Sequence, residues 1–250
     1  CSDKNPAWSP DGKYIAFLSG QDKQSRTTLD VVNLSNGKQI TLATHVFSSG
    51  PPAWAPNGKL LSFNSDQFSE PDHLGKAYTV GVDGSKPQKL LDLSGSTVSE
   101  ITWAPDGHHI VFGVSTGDTD KWVISDPDGT NQRVIKPDPT FVLWSPDSTA
   151  LLIGREDEGH MSIISASDES QQSSLDIPTD TYPRSWSPDG QSILLQSSSL
   201  SSLYSKLYVV DIRSKAVREI SSQPADYRYS SWSPNSKYVV VEADFVDQNS

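Results

Sequence analysis

The sequence predicts an all-β fold, a β-propeller built from four-stranded antiparallel blades, six repeats with the last one incomplete. Three observations predict it. A five-residue motif recurs six times, as WSPDG (8–12), WAPNG (54–58), WAPDG (103–107), WSPDS (144–148), WSPDG (186–190) and WSPNS (232–236). Its tryptophans, Trp8, Trp54, Trp103, Trp144, Trp186 and Trp232, stand 41 to 49 residues apart, the length of one propeller blade. The segments between them alternate apolar residues with a period of two, and none has the period of a helix.

Each element of the repeat follows from its residues. After the tryptophan comes a small residue, then Pro, then Asp or Asn, then Gly or Ser, the residue logic of a type I turn in which Pro presets φ. Seven and nine positions past each tryptophan the side chain is always apolar, from Ile15/Phe17 in the first repeat to Val239/Val241 in the sixth. The residue between is usually apolar too, which predicts a second strand covered on both faces. Third strands follow at LDVVNL (29–34), AYTVGV (77–82), KWVISD (121–126), MSIISA (161–166) and KLYVVDI (206–212), each leading through a turn to a short fourth strand. The blades run over about 5–44, 51–93, 99–136, 140–176, 181–220 and, in part, 227–250, as a single domain spanning 1–250. A sheet with two apolar faces must stack on its neighbours, so each motif tryptophan is expected to wedge between adjacent blades.

Composition narrows the function. A net charge of −11 argues against a nucleic-acid partner, because phosphate binding needs a basic face. No apolar run is long enough for a transmembrane helix. Cys1 is the one cysteine, so an internal disulfide and a cysteine metal site are excluded. A chain opening Cys-Ser reads either as a lipoprotein cut at an acylated cysteine or as a fragment with restarted numbering. The second is preferred, since the first repeat begins without a polar tether.

The unit Pro-x-Trp-Ser-Pro-Asp-Gly-Lys-x-Ile-Ala-Phe, read at Pro6–Phe17, resembles the WD-like repeat of the TolB propeller family, and the resemblance covers essentially the whole chain. Similar repeats occur in propellers of prolyl-oligopeptidase-type serine peptidases. The TolB resemblance implies a non-enzymatic propeller that binds protein partners or senses a ligand outside the cytoplasm, periplasmic or at the cell surface, with no cofactor. The alternative is the propeller of a peptidase whose hydrolase domain lies outside this chain. The sixth repeat stops shortly after Val241, so the natural protein is expected to continue past Ser250.

Candidate chemistry reduces to little. GVSTG (113–117) has the letters of a serine nucleophile elbow, but no helix is predicted after it, so Ser115 reads as a loop residue. The histidines lack metal-ligand spacing. SDPDGT (125–130) starts like a calcium loop without the later ligands and reads as a turn. Trp122, outside the motif, reads as core, and a carbohydrate-lyase cluster of His, Arg and carboxylates cannot be assembled. The motif carboxylates Asp11, Asp106, Asp147 and Asp189 recur too regularly to be a catalytic pair. What varies is the connection between second and third strands, several of which are acidic: Asp66, Glu70 and Asp72; Asp118 and Asp120; Glu156, Asp157 and Glu158. These read as a solvated rim, or as loops that dock a protein or cationic ligand.

Overall fold

The apolar alternation after each tryptophan becomes the second strand of a sheet, and the segments around it pair onto its two edges. The computed structural model describes residues 4–20, 27–47, 52–65, 75–90, 96–117, 119–155, 159–197, 205–221 and 225–245. Twenty-two strands and no helix occur among them. The first meander is β1 (Lys4–Trp8), β2 (Tyr14–Ser19), β3 (Thr27–Asn33) and β4 (Gln39–Val46). The second is β5 (Ala53–Trp54), β6 (Leu60–Ser65), β7 (Lys76–Gly81) and β8 (Gln88–Lys89), joined to the first by one pairing, Val46 with Ser65. The third is β9 (Thr97–Trp103), β10 (Ile110–Ser115), β11 (Asp120–Ser125) and β12 (Arg133–Val134). These three lie in one compact unit, Cys1–Asp138.

A second unit, Pro139–Ser250, holds the rest. Its sheets are β13 (Phe141–Trp144), β14 (Ala150–Gly154), β15 (His160–Ser165) and β16 (Gln171–Asp176); then β17 (Thr181–Trp186), β18 (Ser192–Ser197), β19 (Leu207–Asp211) and β20 (Val217–Glu219); and β21 (Ala225–Trp232) with β22 (Val239–Phe245). All pairing is antiparallel, and within each meander it is sequential.

Within each unit the core lies between successive sheets, which is why second strands need two apolar faces. Leu29 and Val31 of the first sheet pack with Leu61, Phe63 and Tyr78 of the second. Ala55 and Leu90 pack with Ile110 and Phe112 of the third. In the other unit Leu152, Met161 and Leu175 pack with Ile193, Leu195 and Val210. Phe63 and Tyr78, directly paired across β6 and β7, stack with ring centroids 5.7 Å apart.

The wedge expectation holds for some tryptophans and fails for one. Trp103 and Trp144 are each 8% exposed. The indole Nε1 of Trp54 donates to the Ala7 carbonyl of the first sheet at 3.1 Å, and that of Trp103 to Ser62 Oγ of the second at 2.9 Å. Trp8 is 64% exposed. The indoles of Trp54 and Trp103 thus reach back onto the preceding sheet, whereas that of Trp8 is uncovered. The sixth sheet departs as well: Val240 and Val241 on β22, and Tyr238 just before it, are exposed, so this second strand is not covered on both faces.

Candidate functional site

In a four-stranded meander the first and third connections emerge at one end of the sheet and the second at the other. The two ends carry different chemistry.

At the first end lie the six motif turns. The residue after Asp or Asn has positive φ in every copy: Gly12, Gly58, Gly107 and Gly190 at 67 to 76°, Ser148 at 63° and Ser236 at 58°. Its amide donates back to the carbonyl of the small residue three positions earlier, as from Gly12 to Ser9 at 2.9 Å. The Asp or Asn Oδ1 accepts the amide two residues on in all six, from Lys13, Lys59, His108, Thr149, Gln191 and Lys237, at 2.8 to 3.2 Å. Where the small residue is serine, its Oγ donates to that same Oδ1 and accepts the amide five residues on: Ser9, Ser145, Ser187 and Ser233 all do this. The Ser9 hydroxyl foremost, then the Lys13 amide, pull the Asp11 carboxyl down to about 2. Asp147 and Asp189 are lowered likewise, by Ser145 and Ser187 first. The motif carboxylates are therefore turn closers, as the repetition predicts.

At the opposite end the variable loops depart from bases braced by polar side chains. In the first sheet the carboxylate of Asp30, 2% exposed, accepts from Ser19 Oγ, Thr28 Oγ1 and Thr41 Oγ1. Burial pushes this carboxyl up, but the hydrogen bonds from Ser19, Thr28, Thr41 and Gln39 together hold it below its ordinary value. Asn64, at the end of β6, sends its Nδ2 to the Val98 carbonyl of the next sheet at 2.6 Å. Gln196, at the same place in β18, sends Nε2 to the Tyr227 carbonyl of its neighbour at 2.9 Å. Lys76, 3% exposed, donates through Nζ to the Ser96 carbonyl at 2.9 Å. Sequence reading passed over all of these, although a polar residue at the end of an apolar strand was the available signal.

Of the acidic loop residues, Asp120 is exposed at the start of β11, paired opposite Ser115. Asp66, Glu70, Asp72, Asp118, Glu156, Asp157 and Glu158 lie outside the described residues. The Ser115–Asp120 pair also places GVSTG in a hairpin between β10 and β11, with no nucleophile elbow. Trp122 is buried on β11, paired opposite Gly113. SDPDGT closes a turn, with the Gly129 amide on the Asp126 carbonyl and Asp128 Oδ1 on the Thr130 amide. His109 Nε2 lies 3.9 Å from Asp126, and His108 occupies an exposed turn position.

A charged patch also escaped the sequence reading. Arg184 on β17 donates to the Arg228 carbonyl on β21 and lies 5.8 Å from the Tyr182 ring centroid. Arg228 pairs with Asp226 and Asp244 at 3.0 and 2.6 Å. Both arginines sit where a β-bulge interrupts the register. The strings TYPRSW and YRYSSW, against FVLW or SEITW in earlier repeats, carried that signal.

No protein-family model matches the chain. The uncharacterized peptidase YuxL of Bacillus subtilis (strain 168) is 26% identical over 149 residues, which is 58% of this chain and 22% of that protein. Among solved structures, TolB from Acinetobacter baumannii matches with a TM-score of 0.56 at 19% identity, over 89% of this chain and 55% of that one. The β-propeller domain of the trilobed protease from Pyrococcus furiosus matches with a TM-score of 0.67 at 13% identity, over 91% and 73%. The chain thus spans about a fifth of YuxL and about half of that TolB. These likenesses, with the four-stranded antiparallel sheets, make the fold that of a TolB-like β-propeller. Among the described residues no helix is long and apolar enough to cross a membrane.

Proposed function

We propose that this chain is a non-catalytic propeller scaffold that binds a protein partner outside the cytoplasm, through the loops between second and third strands. The observation that carries it is the bracing of the loop bases. Asp30, Asn64 and Lys76 place charged or amide groups in the interior and direct them to hydroxyls or neighbouring backbone carbonyls, and Gln196 does so through Nε2, while its buried Oε1 has no partner among the described residues. Burying such groups is costly unless they are fully hydrogen-bonded, and the return is a rigid platform beneath variable loops. Loops on a rigid frame are where binding resides. The likeness to TolB supports the same reading. To test it, Glu156, Asp157 and Glu158 are exchanged for Ser in the natural protein, and in-cell crosslinking followed by mass spectrometry identifies the partner of each form. Loss of one specific crosslinked partner at unchanged melting temperature is expected. An identical crosslink pattern removes these loops from the account.

The likenesses to YuxL and to the protease propeller favour a second reading, a propeller that belongs to a serine peptidase. A fluorophosphonate probe separates the two. Active-site labelling of the natural protein would establish the peptidase reading and overturn the first.

A further inference from the structure

Between the fourth and fifth sheets, at the motif-turn end, runs an open groove of about 340 Å³. Its rim carries Asp147 and Asp189 from successive motif turns, and its walls include Ile163, Ile212, Gln172 and Trp186. Among the described residues no basic side chain lines it. Each carboxylate spends Oδ1 inside its own turn, on Ser145 and Thr149 in one case and on Ser187 and Gln191 in the other. The turns fix both carboxylates in place at the groove, and the Ser236 side chain adds a further hydrogen bond to that of Asp189.

We propose that this groove seats an arginine side chain of an extended peptide segment in a protein partner. The inference rests on the protein-binding reading above and adds a surface that reading does not use. Two carboxylates beside apolar side chains, with no cationic side chain among the described lining residues, complement a group with a charged head and an aliphatic stem. A guanidinium satisfies both carboxylates through several donors at once, which an ammonium does less well. Its stem covers Ile163 and Ile212, and Trp186 supplies an aromatic wall for the cation.

The repeat itself provides fold-neutral variants. Asn57 and Asn235 make the same turn hydrogen bonds with no charge, and Asn235 also accepts the serine hydroxyl. Asp147→Asn with Asp189→Asn therefore removes the charges and keeps the turns. Asp106→Asn, in a turn of the other unit, controls for net charge. The probes are the blocked peptide acetyl-Gly-Ser-Arg-Ser-Gly-amide and its neutral citrulline counterpart, titrated at low ionic strength while amide and indole NMR signals are followed. The arginine peptide is expected to shift Thr149, Gly190 and Trp186, and the citrulline peptide to leave them in place. The double variant should weaken binding at least about tenfold, the loss of one charge-assisted contact, with the single control unchanged. No shift at the groove, equal binding of the citrulline peptide, or an equal loss in the control would overturn the proposal. If the groove fails while the loop exchange still abolishes a crosslinked partner, the protein-binding reading stands without it.

Discussion

Four of the six residues that follow the motif Asp or Asn are glycine and two are serine, yet all six hold positive φ. For an L-residue with a side chain that conformation costs about 1–2 kcal/mol, so the preference for Gly at this position was visible in the sequence as a backbone demand. What a glycine lies against was not visible. Gly84 and Gly129 occupy equivalent turns after third strands, with φ of 80° and 83°. A Cβ on Gly84 meets nothing within 4 Å, whereas one on Gly129 would lie 2.1 Å from the Leu90 carbonyl oxygen of the preceding sheet. Gly84→Ala should therefore cost about 1 kcal/mol from backbone strain alone. Gly129→Ala should cost a further 1–3 kcal/mol or so, because packed backbone must move. Urea midpoints of the two variants check this, and equal losses would contradict the close approach. Both turns read alike as sequence, since the difference lies in a residue about forty positions away.

The motif tryptophans show how an element can be read correctly while its partner cannot. Their recurrence before a turn predicts burial between sheets, and Trp103 is so buried, with its indole on Ser62. Trp103→Ala should cost about 3–5 kcal/mol, the range for removing a buried aromatic, measured as a shift in denaturation midpoint. Ser62→Ala keeps the packing and orphans the indole N–H, so it should cost about 1–3 kcal/mol. A smaller loss than that would mean water replaces the hydroxyl. Ser62 is the exception to the apolar rule for its position, and the structure gives the exception its reason. Where later repeats place Leu152 and Leu194, the buried Nε1 groups of Trp186 and Trp232 have no hydrogen-bond partner among the described residues. Trp8, identical in its motif, is exposed, because local residues set where an indole points and only a neighbouring sheet can cover it.

For the molecule as a whole, the acidic composition has a consequence beyond solubility. Asp11 and Asp168 are pulled down to about 2 by serine hydroxyls first, and Asp30, Asp83, Asp128, Asp147, Asp189 and Asp211 shift the same way. A carboxyl lowered on folding contributes stability that is present above its unfolded value near 3.8 and lost as pH falls through the folded one. The β-sheet signal in circular dichroism should accordingly persist from neutral pH to about 4 and fall between there and about 2. In Asp11→Asn with Asp168→Asn, which preserves turn acceptors without a titrating proton, urea stability should change less across that interval than in the parent chain. An equal change would place the acid sensitivity elsewhere.

The amino-acid order by itself determined the all-β class, the blade period, the motif turns and the apolar second strands, because each depends on residues within a few positions of one another or on a period any long sheet must keep. It also identified the motif carboxylates as turn closers and Trp122 as core. Tertiary structure alone decided which indoles find acceptors, which glycine touches a carbonyl, and which polar ends brace a loop. It also brought Asp147 and Asp189, forty-two residues apart in the sequence, to one groove. Such pairings arise only when separate sheets stack, and stacking joins residues whose distance along the chain carries no trace of their nearness in space.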